Sequence, residues 1–205
     1  DSVASPNTTL NAIVAEAFCE AADVLEKAED FELAVHDLIK EYMTRHQRII
    51  FNGDGYSREW VAEAARRGLP NIKSTVEAAC TLTTEKAVRL FEKFGIFTKV
   101  ELESREEIMY ETYAKTIQIE ANTMIDMAGR KYIPAIVRYT KSLAETVLAV
   151  REAGVEPVVQ RELLTQVNEK LTEAKAALSR LEAVSGEAAD MKNAREQAFF
   201  YMETV

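Results

Sequence analysis

The densest cluster of reactive and turn-forming residues is "FNGDGYSREW", residues 51–60. Two glycines flank an aspartate there, an asparagine precedes them, and a serine, an arginine and the only tryptophan follow. This mixture suits three kinds of site: a calcium loop, a phosphate cradle or a sharp corner between helices. An EF-hand register that uses Gly55 as the loop glycine puts Ile50 where an Asp is required and Val61 where the bidentate Glu is required. About three oxygens are then on offer, against the six or more that calcium takes. A phosphate loop needs GxxxxGKS or GxxxxGKT after a strand, and neither the lysine nor the strand is present. The remaining reading is the corner. The glycines permit positive φ, Asn52 and Asp54 can bond their own backbone, and Ser57 can open the next helix. Asn52, Gly53, Asp54, Gly55 and Ser57 are therefore expected to form a structural corner.

Other chemistry-bearing residues read more plainly. His36 and His46 lie ten residues apart with no HExxH-like spacing, so both are expected as partly exposed helix residues. Glu106 and Glu107 are expected on a solvated face. Arg66 and Arg67 near a helix end suit the macrodipole and need no ligand. Cys19 and Cys80 are too few and too far apart for a disulfide framework or a zinc site. Within its apolar pattern Cys19 is expected as a buried structural thiol. By spacing alone, no catalytic, cofactor-binding or metal-ligating residue emerges.

The elements that hold these residues follow from composition. Apolar residues are 47% and charged residues 29% of 205, with only 7 Gly and 4 Pro, a balance that favours helix nearly throughout. The net charge of −9 argues against a nucleic-acid partner, which needs a cationic face, and against an anionic membrane surface. No run approaches the ~18 apolar residues of a membrane span. No signal peptide opens the chain, and the few cysteines suit a reducing, cytoplasmic setting.

Leu10, Ile13, Val14, Ala17, Ala21 and Leu25 mark the inward stripe of a first helix capped by Asn7 or Thr8. Asp30 caps a second helix with Phe31, Val35, Leu38, Ile39 and Tyr42 inward. Ser57 opens a short helix bearing Trp60, which Gly68 and Pro70 end. Ser74 with Glu77, Thr98 with Glu101, and Ser104 with Glu107 have capping-box spacing. Thr84 begins a helix that Gly95 closes.

After Phe97, neither Gly nor Pro interrupts the chain until Gly129. Tyr110, Tyr113, Ile117, Ala121, Met124 and Ala128 form a helical stripe. Pro134 should kink this helix without ending it, because the stripe resumes at Ile136, Leu143, Val147 and Val150. From about Lys99 to Ala153 one helix is expected, roughly 80 Å long at its standard rise. Gly154 and Pro157 make a hairpin turn. Leu164, Val167, Leu171, Ala174, Leu178 and Leu181 then repeat at 3–4 spacing as a coiled-coil seam; Leu164, Val167, Leu171, Leu178 and Leu181 are the candidate assembly surface, and Leu164, Leu171 and Leu178 a candidate route to self-association. Gly186 is expected to break that helix before a last one.

The expected fold is all-α: a compact short-helix subdomain over 1–97, then a long kinked helix and an antiparallel coiled-coil-like hairpin or three-helix bundle over 98–205. An opening without Met and a last helix without a stop signal suggest a piece of a longer chain.

Three runs carry a family resemblance. "RIIFNGDGYSREWVAEAARRGLPNIKST", "TTEKAVRLFEKFGIF" and "VELESREEIMYETYAKTIQIEANTMIDMAGRKYIPAIVRY" resemble the segment that follows the catalytic core in long, type III glutamine synthetases. The shared elements are "ELxSR", "IExxTMIDMA" and "PA". "SPNTTLNAIVAEAF" is similar to the helix after the last catalytic strand in glutamine synthetases generally. The "NGDGYS" and "MIDMA" runs are specific to the resemblance; the helical repeat at 160–185 is not.

The resemblance implies a parent ligase that condenses glutamate with ammonia through a γ-glutamyl phosphate. It further implies ATP and two divalent cations, Mg²⁺ or Mn²⁺, held by carboxylates on strands before Asp1. None of those motif positions maps onto this chain, so it is expected to be silent in catalysis. Its expected partners are the catalytic domain of the same chain, through residues 1–50, and neighbouring subunits of a homo-oligomer. The competing expectation is a stand-alone helical interaction or scaffold module without catalysis.

Overall fold

The computed structural model describes residues 3–205, and every regular element among them is helical. The all-α expectation therefore holds. Helices α1 (Ala4–Leu25), α2 (Phe31–Arg45), α3 (Arg58–Arg66), α4 (Thr75–Ala79) and α5 (Glu85–Lys93) are short or of moderate length. They precede α6 (Lys99–Met127), α7 (Ile133–Glu152), α8 (Val158–Ala189) and α9 (Ala194–Thr204).

Local chemistry explains most of the boundaries. A side-chain oxygen of Asp30, Ser57, Ser74, Thr84 or Asn193 accepts from the backbone N–H three residues on, opening α2, α3, α4, α5 and α9. Each bond satisfies a donor that a helix start would otherwise leave unpaired. Thr98 and Glu101 make the full reciprocal box: the Glu101 carboxylate accepts from the Thr98 N–H at 2.8 Å, and Thr98 Oγ1 accepts from the Glu101 N–H at 3.3 Å. At the other ends, Gly68 (φ 69°) and Gly95 (φ 61°) adopt the left-handed conformation. This lets Leu69 and Ile96 donate back to Ala64 and Phe91, the closure that a Cβ would strain.

Three expected boundaries differ. α1 starts at Ala4, not at Asn7 or Thr8. Pro6 sits in its first turn, where the missing N–H has no partner to lose, and Thr8 Oγ1 donates to the Ala4 carbonyl within the helix. Ser104 and Glu107 lie inside α6 and cap nothing. Gly186 does not break α8, which runs on to Ala189. A single helical glycine costs about 1 kcal/mol against alanine, and burial of the adjacent Ser185 and Ala188 offsets it.

The expected kink takes the form of a π turn. Residues Ala128–Tyr132 are π-helical between α6 and α7. Pro134 offers no N–H to the carbonyl one turn back and its ring presses on that carbonyl, so the helix widens there and continues. Gly129 lies within this turn, where a Cβ would just reach Leu178 at 4.0 Å.

The chain forms two compact units that meet inside α6, one ending at Glu106 and the other beginning at Glu107. In the first, α1 packs on α2 and α5. Its core is Ala12, Phe91 and Leu102, with Val88, Leu90 and Phe97 against it. Lys93 on α5 pairs with Glu16 on α1, and the Arg105 guanidinium lies 4.1 Å from the Phe97 ring centroid. In the second unit, α7 and α8 pack together across the turn at Gly154 (φ 83°) and a fully buried Pro157. Tyr110, Ala121, Leu143, Leu178, Ala198 and Tyr201 are its buried residues of note.

Two inward stripes are corrected by burial. On α1 the buried residue is Ala12, while Leu10, Ile13, Val14 and Ala17 face outward. On α2, Phe31 and Ile39 are exposed, and Val35, Leu38 and Tyr42 are no more than partly covered. α1 is apolar on nearly all sides, so its period alone does not say which side its own chain covers. On α6 the stripe keeps Tyr110 and Ala121 buried, but Met124 is exposed.

Candidate functional site

The 51–60 segment is a corner built from aromatic stacking and one cation. Phe51 and Trp60 stack with ring centroids 4.3 Å apart. The Arg67 guanidinium lies 5.7 and 5.9 Å from those two rings. The same guanidinium donates to the carbonyls of Ile50 at 2.7 Å and Arg48 at 3.2 Å, and to the Glu63 carboxylate. A planar fork with five donors can do all of this at once, whereas a lysine could not. Arg67 thus ties the end of α3 back to the 3-10 turn Gln47–Ile49 and to the entry of the corner. Sequence reasoning assigned it only to the helix dipole.

Within the corner, Asp54 Oδ1 accepts from the Tyr56 N–H at 2.9 Å, and the Asp54 carbonyl accepts from the Ser57 N–H at 3.2 Å. Ser57 then caps α3 through the Trp60 N–H at 3.1 Å. Asn52 is exposed beside Asp54. The glycines act differently from expectation. Positive φ among the described residues is confined to Gly68, Gly95 and Gly154. Gly53 is needed because a Cβ would come within 2.8 Å of the Phe51 ring, while a Cβ on Gly55 would meet nothing within 4 Å.

Glu63 accepts from Arg66 at 2.6 and 2.7 Å and from Arg67. These charge-assisted bonds hold its pKa down to about 2, because they favour the ionised form. Glu106, expected to be solvated, is half-buried and accepts from Thr83 Oγ1 at 2.6 Å. Cys19 is half-buried and unbridged, as is Cys80, whose Sγ donates to the Glu77 carbonyl. His36 and His46 are both exposed, and the His36 ring meets Asp37 at 3.2 Å. Among the described residues no three His, Cys, Asp or Glu side chains come together as a metal set. The bonds of the 51–60 segment run between its own side chains, its backbone and Arg67.

Two apolar surfaces contrast with it. Along α1, Leu10, Ile13, Val14 and Phe18 recur at helical spacing on the side away from Ala12, and all are at least half exposed, Phe18 by 71%. On α2, Phe31, Leu33, Ile39 and Met43 are also exposed. Together they leave a large apolar area bare on this unit. The seam of α8 is different. Leu178 is 6% exposed, and Leu164, Val167, Leu171 and Leu181 are partly covered, all by the chain itself.

The glutamine synthetase C-terminal domain model matches residues 34–151, which contain the corner, α3 to α6 and nearly all of α7. A Type-3 glutamine synthetase of Dictyostelium discoideum is 34% identical over 209 residues, covering 98% of this chain. A glutamine synthetase of Butyrivibrio fibrisolvens is 35% identical over 86% of the chain, and one of Bacteroides fragilis is 30% identical over 89%. The chain spans little more than a quarter of these curated relatives, at 28%, 26% and 26% of their lengths. With a model match over more than half of its residues, the chain belongs to the glutamine synthetase family, as its helical C-terminal domain.

Proposed function

We propose that this chain is the non-catalytic helical domain of an ATP-dependent glutamate–ammonia ligase, and that it serves the enzyme's architecture and subunit assembly. The observation that carries this reading is the outward apolar side of α1, which the chain leaves bare while burying Ala12 opposite, together with the exposed Phe31, Leu33, Ile39 and Met43 of α2. A helix apolar on both sides belongs between two layers. Within residues 1–50 that second layer is the catalytic portion of the same polypeptide. The ATP and Mg²⁺ or Mn²⁺ that the family implies belong, in this reading, to the catalytic portion, and no step of the reaction is assigned to this chain.

The hairpin of α7 and α8 takes the assembly role. Its seam residues Leu164, Val167, Leu171, Leu178 and Leu181 first hold the two helices together, and a rigid hairpin then presents its outer sides to neighbouring subunits of a homo-oligomer. The corner Asn52, Gly53, Asp54, Gly55 and Ser57 sets how α3 leaves the first two helices. No described helix is long and apolar enough to cross a membrane, and the net charge of −9 disfavours nucleic acid. The setting proposed is cytoplasmic.

Glutamine formation from glutamate, ammonia, ATP and Mg²⁺ tests the reading, comparing the full-length polypeptide with this chain. Activity in the full-length protein and none in the chain is the expected pair. A folded but inactive full-length protein would overturn the ligase reading, and turnover by the chain alone would overturn its non-catalytic role.

A further inference from the structure

We infer that Tyr56 is a pre-positioned anchor that seats in a pocket of the catalytic portion, the same partner that covers α1 and α2. The inference rests on the docking reading above and adds to it a particular contact point.

Tyr56 is fully exposed, at 101% of its reference area. The turn around it does not use its side chain. Asp54 Oδ1 bonds the Tyr56 backbone, Ser57 caps α3, Phe51 stacks on Trp60, and Arg67 holds the Ile50 carbonyl. A turn needs small or polar residues at its apex, so a corner with no other duty gains nothing from a bare phenol ring. The segment is also tied down at several points. Gly53 allows the Phe51 ring to lie against the backbone, and one guanidinium locks the entry strand of chain to the end of α3. A ring with two side-chain torsions on a backbone already held in place loses little entropy when it docks. That is the property that makes tyrosine a recurrent interface anchor.

The choice of occupant follows from what surrounds Tyr56 along the chain. The exposed apolar residues of α2, Ile39 and Met43, are followed by exposed Ile49 and Ile50 and then by Tyr56, all in the same compact unit. The bare surface assigned to the catalytic portion thus runs on in sequence to the corner. The pocket that receives Tyr56 has apolar walls for the ring and a hydrogen-bonding group for the hydroxyl, because an amphipathic side chain docked into a wholly apolar pocket would leave its hydroxyl unpaired.

Tyrosine nitration by tetranitromethane tests this in the full-length polypeptide and in this chain, read by peptide mass mapping. Hydroxyl-radical oxidation of Phe18 is measured in parallel. The anchor predicts that Tyr56 nitrates at least about tenfold more slowly in the full-length protein, the scale of an interface hot spot, and that Phe18 is protected with it. Equal nitration of Tyr56 with Phe18 protected overturns the anchor and leaves the docking reading intact. Equal reactivity at both sites overturns both.

Tyr56→Ala and Tyr56→Phe in the full-length protein separate docking from mere occlusion. Tyr56→Ala should raise Phe18 oxidation by loosening the domain, and Tyr56→Phe should raise it less. No change in Phe18 oxidation with Tyr56→Ala would show that the ring is covered without holding anything, and would overturn the anchor. Because the Tyr56 side chain is fully exposed, both variants keep the fold.

Discussion

The two units use their apolar residues in opposite ways. In the second, the leucine seam of α8 is turned onto its own chain, and Leu178 is nearly inaccessible. In the first, the richest apolar side of α1 looks outward and its own chain buries the plainer side, around Ala12. Both stripes have the helical period of a buried face, yet only one is buried by this chain. A stripe's strength thus says that something covers it, and only packing says what. The second unit covers its leucine seam itself, although it too leaves Ile119, Leu148 and Val158 bare, whereas the first leaves its richest apolar stripe uncovered.

The contrast can be broken most forcefully inside the second unit. Leu178→Ala deletes a buried side chain beside the π turn and should cost about 2–5 kcal/mol, read as a lower urea midpoint. An equivalent deletion on the outer side of α1, Ile13→Ala, should cost no more than about 0.5–1 kcal/mol in this chain, because the side chain is half exposed. Equal losses at the two positions would erase the distinction between the units.

A second effect of opposite sign is expected at Tyr201. Its hydroxyl is buried and meets no hydrogen-bond partner among the described residues, a penalty of about 1–3 kcal/mol. Tyr201→Phe should therefore leave the second unit as stable or more so, seen as an unchanged or higher Tm. A marked drop would mean that the hydroxyl has a partner within the native unit.

Smaller effects sharpen the account of the corner. Gly53→Ala puts a Cβ against the Phe51 ring and should cost about 1 kcal/mol or more through the ring's displacement. Gly55→Ala, with open space around its Cβ, should be close to neutral. If the two variants matched in thermal unfolding, the ring would not be what requires glycine at 53.

The smallest effect is a pH dependence. The carboxyl of Glu63 is lowered from 4.5 to about 2 by Arg66 and Arg67. The folded state therefore holds this proton more weakly than the unfolded chain. The pairing contributes in full above about pH 4.5 and is lost as pH falls toward 2. Glu63→Gln should flatten that acid loss in the first unit while leaving the second unit's profile unchanged.

Much of this architecture was legible in the sequence because its causes are local. Asp30, Ser57, Ser74, Thr84 and the Thr98–Glu101 box each act within one turn of their own position. Gly68, Gly95 and Gly154 end helices for a reason carried by the glycine itself. Pro134 announced a distortion, though not that it would be a π turn.

What escaped depends on distance along the chain. Arg67 reaches carbonyls at 48 and 50, and no spacing rule links an arginine to backbone so far upstream. The reason for Gly53 is a ring two residues away whose position is set by Trp60. The orientation of α1 escaped because Ala12 is small and unremarkable beside Leu10, Ile13 and Phe18, yet it is the residue that fits against Phe91 and Leu102. Gly186 misled because a helix supported by packing on either side tolerates one glycine.

The central claim is that the outer side of α1 is an interior surface of the full-length polypeptide. Hydroxyl-radical footprinting of Leu10, Ile13, Val14 and Phe18, in this chain and in the full-length polypeptide, tests it most directly. The account predicts ready oxidation of all four in the chain and strong protection of all four in the full-length protein. Equal oxidation in the two would contradict it, and would leave α1 as a solvent-facing helix whose apolar side serves no partner in the enzyme.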